Sequence, residues 1–299
     1  ATAAVLGSAG LIVTTSGASA ACTNPSDKVY VCSSDATTTQ KLTGGAFPLE
    51  VFIKNTTDGS APSFTTTDDP PPGTRKDAFT LSSEARITFV DETTAGATIT
   101  GAKWGIWARN KSSGALSITT TGETTGADGD GIFAENKGTN LEIIAATTKG
   151  GDYGIKALNQ GTGALSITTT GDTTGGTFYD GIFAKNEGTS LTINAATTTG
   201  GRNGIFAENK GTGALSITTT GTTTGNGTNS FEVDGKYYHP AGIFAINKGT
   251  SLTIDAATTT GGFNGIYARN KGTGALIIKT TGTTTGKGDF SSGISAKNG

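Results

Sequence analysis

Few side chains in this sequence could carry out chemistry. The chain has one histidine, His239, and two cysteines, Cys22 and Cys32. A Ser-His-Asp triad needs a histidine held beside a nucleophile, and no nucleophile motif accompanies His239. A catalytic or metal-binding thiol would need partners that one histidine cannot supply. In an exported chain a lone, close cysteine pair is most simply a small disulfide loop, so we predict a disulfide between Cys22 and Cys32.

Carboxylates are the other candidates for catalysis. Some β-helical enzymes cleave polysaccharides with clustered carboxylates, and the sequence offers Asp128, Asp130, Asp180 and Asp234. Aspartate is also a common turn residue, and we favour that interpretation. The phrase "GADGDGIFA" resembles a calcium-binding nonapeptide only superficially and does not recur. We therefore predict no catalytic residue, no metal and no cofactor.

The bulk composition excludes other classes of protein. The net charge is -2 and 15% of the residues are charged, which argues against the basic surface of a nucleic-acid-binding protein. Disordered chains carry few β-branched residues and a high net charge, whereas Thr, Val and Ile are frequent here. Because such residues favour strands, we expect a folded, β-rich protein.

Both ends of the sequence suggest a longer precursor. Residues 3–13, "AAVLGSAGLIV", are followed by "TTSGASA" and resemble the apolar region and cleavage site of a signal peptide. We predict that residues 1–20 are a signal-peptide remnant; the alternative is a Gly/Ala-rich linker or a first buried strand. The chain stops at "GISAKNG", within a repeat, so we expect it to be truncated at the C-terminus.

A repeat sets the fold. Gly-Ile recurs eight times from Gly105 to Gly293, at spacings of 23 to 38 residues. Alternating segments such as "GIFAEN" and "ALSITT" predict short strands separated by turns. A unit of 23 residues is too short for a propeller blade of about 40. We predict a right-handed, single-stranded parallel β-helix in residues 66–299, regular from residue 105, behind an N-terminal cap in residues 21–65 that contains the disulfide loop.

Three positions of the repeat never change. Each Gly-Ile unit reads Ile-x-Ala-x-Asn, and alternate residues of a strand face the same side. Ile and Ala are predicted to fill the interior, where the asparagines can form a hydrogen-bonded ladder. The predicted ladder consists of Asn110, Asn136, Asn159, Asn186, Asn209, Asn247, Asn270 and Asn298.

The variable positions should face outward. The residue between Ile and Ala is aromatic in six units, namely Trp107, Phe133, Phe183, Phe206, Phe244 and Tyr267. Such a stripe could recognise a protein or a glycan. We favour a structural role, in which stacked rings stabilise the parallel ladder or are covered by loops, and expect Phe206→Ser to cost much less stability than Asn209→Leu.

Insertions in every second unit are the predicted binding edge. They span residues 127–130, 176–180, 226–241 and 287–292 and should project from one side of the solenoid, where binding loops usually lie. The core should not require them, because the short units lack them. The candidate binding residues on this edge are Phe178, Tyr179, Phe231, Tyr237, Tyr238, His239 and Phe290.

The repeat phrases "GIFAENKG" and "SLTINAATTTGG", the signal-like start and the small cysteine loop resemble the passenger domain of a type V autotransporter. More narrowly, the phrasing resembles the CAMP-like-factor and angiogenic-factor autotransporters of blood-borne facultative intracellular bacteria. The resemblance covers residues 21–299. It implies export, passage through an outer-membrane β-barrel that would be a missing C-terminal part of the same precursor, and a location at the bacterial cell surface or, after cleavage, outside the cell.

The resemblance also implies a function. It suggests a surface-exposed or released virulence factor that binds a protein or glycan of host cells and is recognised by host antibodies. The family also contains a secreted growth-factor mimic and proteases, whose catalytic motifs are absent here. Two alternatives remain: a growth-factor-like ligand of an endothelial receptor, and a glycan-cleaving β-helix enzyme.

Overall fold

The computed structural model describes residues 21–66, 76–289 and 291–299. The predicted signal-peptide remnant 1–20 and the candidate Phe290 lie outside these residues. The regular secondary structure of the described ranges is β-strand, without helices. Accordingly, no helix among them is long and apolar enough to cross a membrane.

Each coil of the chain passes through three parallel sheets. We name them the Leu, Thr and Asn sheets after the residue that begins or ends most of their strands. Successive coils pair in register, so that Leu191 lies beside Leu215 and Ile193 beside Ile217. The predicted parallel β-helix is confirmed, and the ten strands of the Asn sheet correspond to ten coils.

The Leu sheet has eleven strands. They are Cys22–Ser26, Val29–Cys32, Leu49–Ile53, Ile87–Asp91, Leu116–Thr120, Leu141–Ala145, Leu165–Thr169, Leu191–Ala195, Leu215–Thr219, Leu252–Ala256 and Leu276–Thr280.

The Thr sheet has nine shorter strands. They are Ser63–Thr65, Thr98–Gly101, Thr124–Gly126, Thr148–Gly150, Thr173–Thr174, Thr198–Gly200, Thr223–Gly225, Thr259–Gly261 and Thr284–Gly286.

The Asn sheet carries the Gly-Ile repeats. Its strands are Gln40–Gly45, Phe79–Ser83, Ile106–Asn110, Ile132–Asn136, Ile155–Asn159, Ile182–Asn186, Ile205–Asn209, Ala241–Asn247, Asn264–Asn270 and Ser292–Asn298. A separate hairpin, Phe231–Val233 and Lys236–Tyr238, lies outside the three sheets.

Among the described residues, a hairpin forms the N-terminal edge of the Leu sheet. Cys22–Ser26 pairs antiparallel with Val29–Cys32, and a disulfide joins Cys22 to Cys32. The outer strand carries Pro25, which has no N–H to offer a further strand. Val29–Cys32 then pairs in parallel with Leu49–Ile53, so parallel coils already begin inside the segment 21–65 that was predicted to be a cap.

The interior is a narrow apolar column. Ile205 and Ala207 are fully buried, as are Leu215 and Ile217, and equivalent residues stack in every neighbouring coil. The corner before the isoleucine of each Gly-Ile repeat has no room for a side chain. A Cβ on Gly204 would lie 2.6 Å from the Thr223 side chain and 2.8 Å from the Gly242 carbonyl oxygen, which explains why the repeat keeps Gly before Ile.

The interior asparagines form a continuous ladder. The Nδ2 of each donates to the Oδ1 of the asparagine in the next coil, over seven links of 2.8–3.0 Å from Asn110 to Asn298. The second Nδ2 proton is used as well, as where Asn209 donates to the Gly213 carbonyl at 3.0 Å. The ladder thus satisfies buried amides and also fixes the turn that leads into the Leu sheet.

Candidate functional site

The insertions lie at the corner between the Thr and Asn sheets, as their positions in the repeat predict. The insertion at 176–180 is a hydrogen-bonded turn in which Tyr179 N donates to the Gly176 carbonyl at 3.1 Å. Phe178 is at the tip of this turn and is 74% exposed. A fixed turn therefore presents a large aromatic ring to solvent.

The longest insertion folds into a small hairpin. Phe231 pairs with Tyr238 and Val233 with Lys236, so Asp234 and Gly235 form a two-residue turn. Both turn residues have positive φ, 47° and 72°, which is the requirement of a type I′ turn and the reason for its Asp-Gly preference. The segment 226–241 is thus an ordered element with its own turn chemistry.

The hairpin covers part of the outer aromatic stripe. Phe206 stacks on Phe244 with ring centroids 5.2 Å apart. The Phe231 ring meets Phe244 edge-on at 5.1 Å and Tyr238 does so at 5.2 Å. Together with Val233 these rings form a second apolar cluster outside the solenoid interior.

This packing corrects two expectations. Phe206 and Phe244 face outward from the coil, as predicted, but they are 1% and 0% exposed because the hairpin lies over them. Phe206→Ser would therefore be costly. The insertion 226–241 is also not dispensable, since its removal would uncover both rings. Phe231 and Tyr238, predicted to contact a partner, instead face this cluster.

Ion pairs hold the tip of the hairpin down. Asp234 accepts hydrogen bonds from Lys210 at 3.2 Å and from Lys248. The bond from Lys248 is the main cause of a lowered pKa for Asp234, about 2. Below the hairpin, Glu208 is fully buried, with lysine Nζ atoms of Lys185, Lys210 and Lys248 at 3.4–3.7 Å. Both acids thus serve to anchor the hairpin.

The other candidate binding residues have separate environments. Tyr237 is 75% exposed on the outer side of the hairpin. His239 is exposed and stacks on Phe263 with centroids 4.1 Å apart. Tyr179 is half-buried and contacts Tyr153 edge-on at 5.0 Å. Among the described residues of this edge, Phe178 and Tyr237 are therefore the large aromatics that are exposed, and they lie on two different insertions.

Asp180 has a structural environment. It is fully buried and accepts hydrogen bonds from Arg202 through Nε at 2.9 Å and through Nη2. It also accepts bonds from Asn203, from the backbone N at 3.0 Å and from Nδ2 at 2.9 Å. With both oxygens occupied, Asp180 fixes the corner beneath the 176–180 turn, in agreement with the turn interpretation of this aspartate.

Asp130 occupies the same corner in an earlier coil but has no arginine. It is 3% exposed, and its Oδ1 accepts one bond from Tyr153 N at 3.1 Å. Burial raises the pKa of Asp130 to about 6; Asp152 contributes to the increase, and Lys156 opposes it. Asp128 makes a backbone bond to Ala102. Among the described residues, no group of three or more His, Cys, Asp or Glu side chains converges as a metal site would require.

A cleft opens between the two insertions. Thr177 and Phe178 form one side, residues 226–231 the other, and Gly201 and Arg202 the floor, around a volume of about 400 Å³. Arg202 was not among the sequence candidates. The signal that could have identified it is the variation at its position, which reads Asp152, Arg202 and Phe263 in short units of constant length.

Comparison with known proteins gives no relative: no protein-family model matches the chain, and neither does any curated protein or solved structure. The functional assignment therefore rests on the surfaces of this chain itself.

Proposed function

We propose that this chain is an exported binding protein that attaches to host cells through the insertion edge of its solenoid. The observation that carries the proposal is the exposure of Phe178 and Tyr237, at 74% and 75%, on insertions that are anchored to a rigid framework. Exposed aromatic side chains often dominate the energy of a binding interface. Because neither ring is needed to fill the core, both are available to a partner.

The environment of Asp180 and Asp234 supports binding over catalysis. Glycoside cleavage requires one carboxylic acid and one carboxylate that are free to reach the same bond. Asp180 is bound by Arg202 and Asn203, and Asp234 by Lys210 and Lys248. These ion pairs and hydrogen bonds fix the turns of the insertion edge. A fixed turn loses little conformational entropy when a partner binds.

For the location we propose the bacterial surface or the extracellular medium. The disulfide Cys22–Cys32 is of the kind that persists in oxidising compartments. The repeat phrases support type V export, through their resemblance to autotransporter passengers. Host antibodies would meet the same protruding insertions, whose sequences occur once in the chain.

Binding of labelled protein to cultured endothelial cells tests this proposal. We expect saturable binding that falls at least about tenfold in the double variant Phe178→Ser/Tyr237→Ser, which is the loss of about 1.4 kcal/mol of binding energy. Phe47→Ser is the matched control, because Phe47 is also exposed, at 60%, but lies near the N-terminal end. Both variants should keep the circular dichroism of the parent.

The alternatives give different outcomes in the same experiment. Equal binding by the parent and the double variant would contradict the insertion edge as the site. Proliferation of the cells at low protein concentration would favour the growth-factor-like ligand. Release of reducing sugar from cell-surface glycans would favour the enzyme.

A further inference from the structure

The cleft between the insertions has a rigid floor. Arg202 N donates to the Tyr179 carbonyl at 2.9 Å, and Gly227 N donates to the Arg202 carbonyl at 3.1 Å. Backbone hydrogen bonds thus tie the short unit to the insertion on either side of it. A site held in this way loses little entropy when a ligand binds.

The cleft carries no free charge. Among its ten lining residues Arg202 is the one charged side chain, and its guanidinium is paired with the buried Asp180. The guanidinium also lies over the Phe231 ring, 5.0 Å from the centroid. Because Asp180 already neutralises Arg202, a sulfate, carboxylate or phosphate would find no unpaired cation here.

The remaining lining groups are neutral donors and acceptors beside an aromatic ring. Asn226, Thr228 and Asn229 are exposed on one wall, and their amides and hydroxyl can both donate and accept hydrogen bonds. Phe178 stands on the other wall with its ring in solvent. Sugar hydroxyls pair with such amides, while the C–H face of a sugar ring packs on an aromatic face.

We propose that this cleft binds a neutral saccharide, with Phe178 as the stacking platform and Asn226 and Asn229 as the hydroxyl-binding groups. The volume of about 400 Å³ lies within the usual range of small-ligand sites, about 300–1,000 Å³, and suits a terminal unit of one or two sugars. The inference rests on the proposed function and names its partner as a cell-surface glycan.

The test uses an array of mammalian oligosaccharides in which neutral glycans are paired with their sialylated or sulfated forms. The full chain should bind at least one neutral glycan, and the anionic partner no more tightly. Phe178→Ser should weaken binding at least about tenfold, Asn229→Ala should weaken it less, and Phe178→Trp should retain it. Phe47→Ser is the control, since Phe47 is also exposed, at 60%, but does not line the cleft.

The outcomes separate this proposal from the proposed function. If no neutral glycan binds while endothelial cells still do, the saccharide cleft is wrong and cell attachment stands. Tenfold tighter binding of the anionic forms would contradict the neutrality of the site. Equal losses in Phe178→Ser and Phe178→Trp would contradict stacking. Loss of cell binding in Tyr237→Ser alone would place attachment on the hairpin rather than in the cleft.

Discussion

The two sides of one strand, Ile205–Asn209, are built differently. On the inner side Asn209 repeats the residue of its neighbouring coils and bonds to both of them. On the outer side Phe206 stacks on Phe183 and Phe244, but the same column holds lysine two coils earlier and serine in the last coil. The inner side is constant along the solenoid, whereas the outer side changes with its surroundings.

The difference follows from which partners are present. Besides backbone groups of its own coil, a buried amide finds partners only in the coils above and below it, so one Nδ2 proton is satisfied only if the next coil offers an acceptor at the same position. An outer side chain has solvent or an insertion as an alternative. Three successive phenylalanines occur where the 226–241 hairpin covers the stripe, whereas Trp107 and Phe133 stack on each other away from the hairpin.

The largest expected effect is a break in the inner ladder. Asn209→Leu leaves the Nδ2 of Asn186 without its acceptor and the Oδ1 of Asn247 without its donor. At about 1–3 kcal/mol for each stranded group, we expect the free energy of unfolding to fall by about 4 kcal/mol, measured by urea titration with circular dichroism. Glu187→Leu, on an exposed residue, should change it little. A loss below about 1 kcal/mol would contradict a large contribution of the ladder to the free energy of unfolding.

The next largest effect is expected where the 226–241 hairpin covers the outer aromatic stripe. Phe244→Ser removes a fully buried ring that contacts Phe231 and Tyr238, so we expect a loss of about 3 kcal/mol. The hairpin should loosen as well, and trypsin should cleave faster after the exposed Lys236. Phe133→Ser is the control, because Phe133 is half-buried outside the hairpin; it should cost about 1 kcal/mol. Equal losses in the two variants would contradict the role of the hairpin.

The fold was predictable from sequence because the residues of the inner side, Ile-x-Ala-x-Asn, recur in eight units. Comparison of the copies separates Ile, Ala and Asn from the variable positions, and period-two alternation then assigns the faces. The hairpin over Phe206 was not found in this way, since 226–241 occurs once. A local signal was present nonetheless: Asp234-Gly235 stands between "FEV" and "KYY", a pattern typical of a two-residue hairpin.

The partners at the insertion edge were harder to predict. Arg202 pairs with Asp180 across 22 residues, and an ion pair between coils has no local signature in one sequence. The exposure of Phe178 and the burial of Phe231 also depend on how each insertion lies relative to the outer aromatic stripe, where Phe231 packs on Phe206 and Phe244. The positions of the insertions in the repeat placed all of these aromatics on one edge but did not reveal which of them face solvent.

Two coils can also be compared at the corner between the Thr and Asn sheets. Asp130 lacks the arginine that Asp180 has, and its pKa of about 6 lies above the usual value. The folded state therefore binds the Asp130 proton more tightly than the unfolded state does. The stability that this proton contributes is fully present below about pH 4 and is lost as the pH rises through about 6. Asp130→Asn should raise stability by about 3 kcal/mol at pH 7.5 and leave it nearly unchanged at pH 4.

Asn203 provides a precedent for this variant, since its Oδ1 accepts a bond from the backbone N of Ala241 at 2.8 Å as Asp130 does from Tyr153. Unfolding of parent and variant at both pH values provides the measurement. Asp180→Asn is the opposite case and should destabilise at pH 7.5, because it breaks a buried pair with Arg202. A gain for Asp130→Asn of equal size at both pH values would exclude ionisation as its cause.

The smallest effect concerns buried threonine hydroxyls of the Thr sheet, which lie outside the asparagine ladder. Thr198 is fully buried on the Thr sheet, and its hydroxyl has no hydrogen-bond partner among the described residues. Valine has nearly the same shape and removes the hydroxyl, so Thr198→Val should raise the free energy of unfolding by about 1 kcal/mol. Thr148→Val is the control, because the hydroxyls of Thr148 and Thr173 are bonded to each other at 3.2 Å and the change would strand one of them. We expect thermal and urea unfolding to rank Thr198→Val above the parent and the parent above Thr148→Val. The reverse order would contradict the view that the buried hydroxyl of Thr198 lacks a hydrogen-bond partner. Water would then be its partner, and the hydroxyl itself would be a reason for the repeated threonine of the Thr sheet.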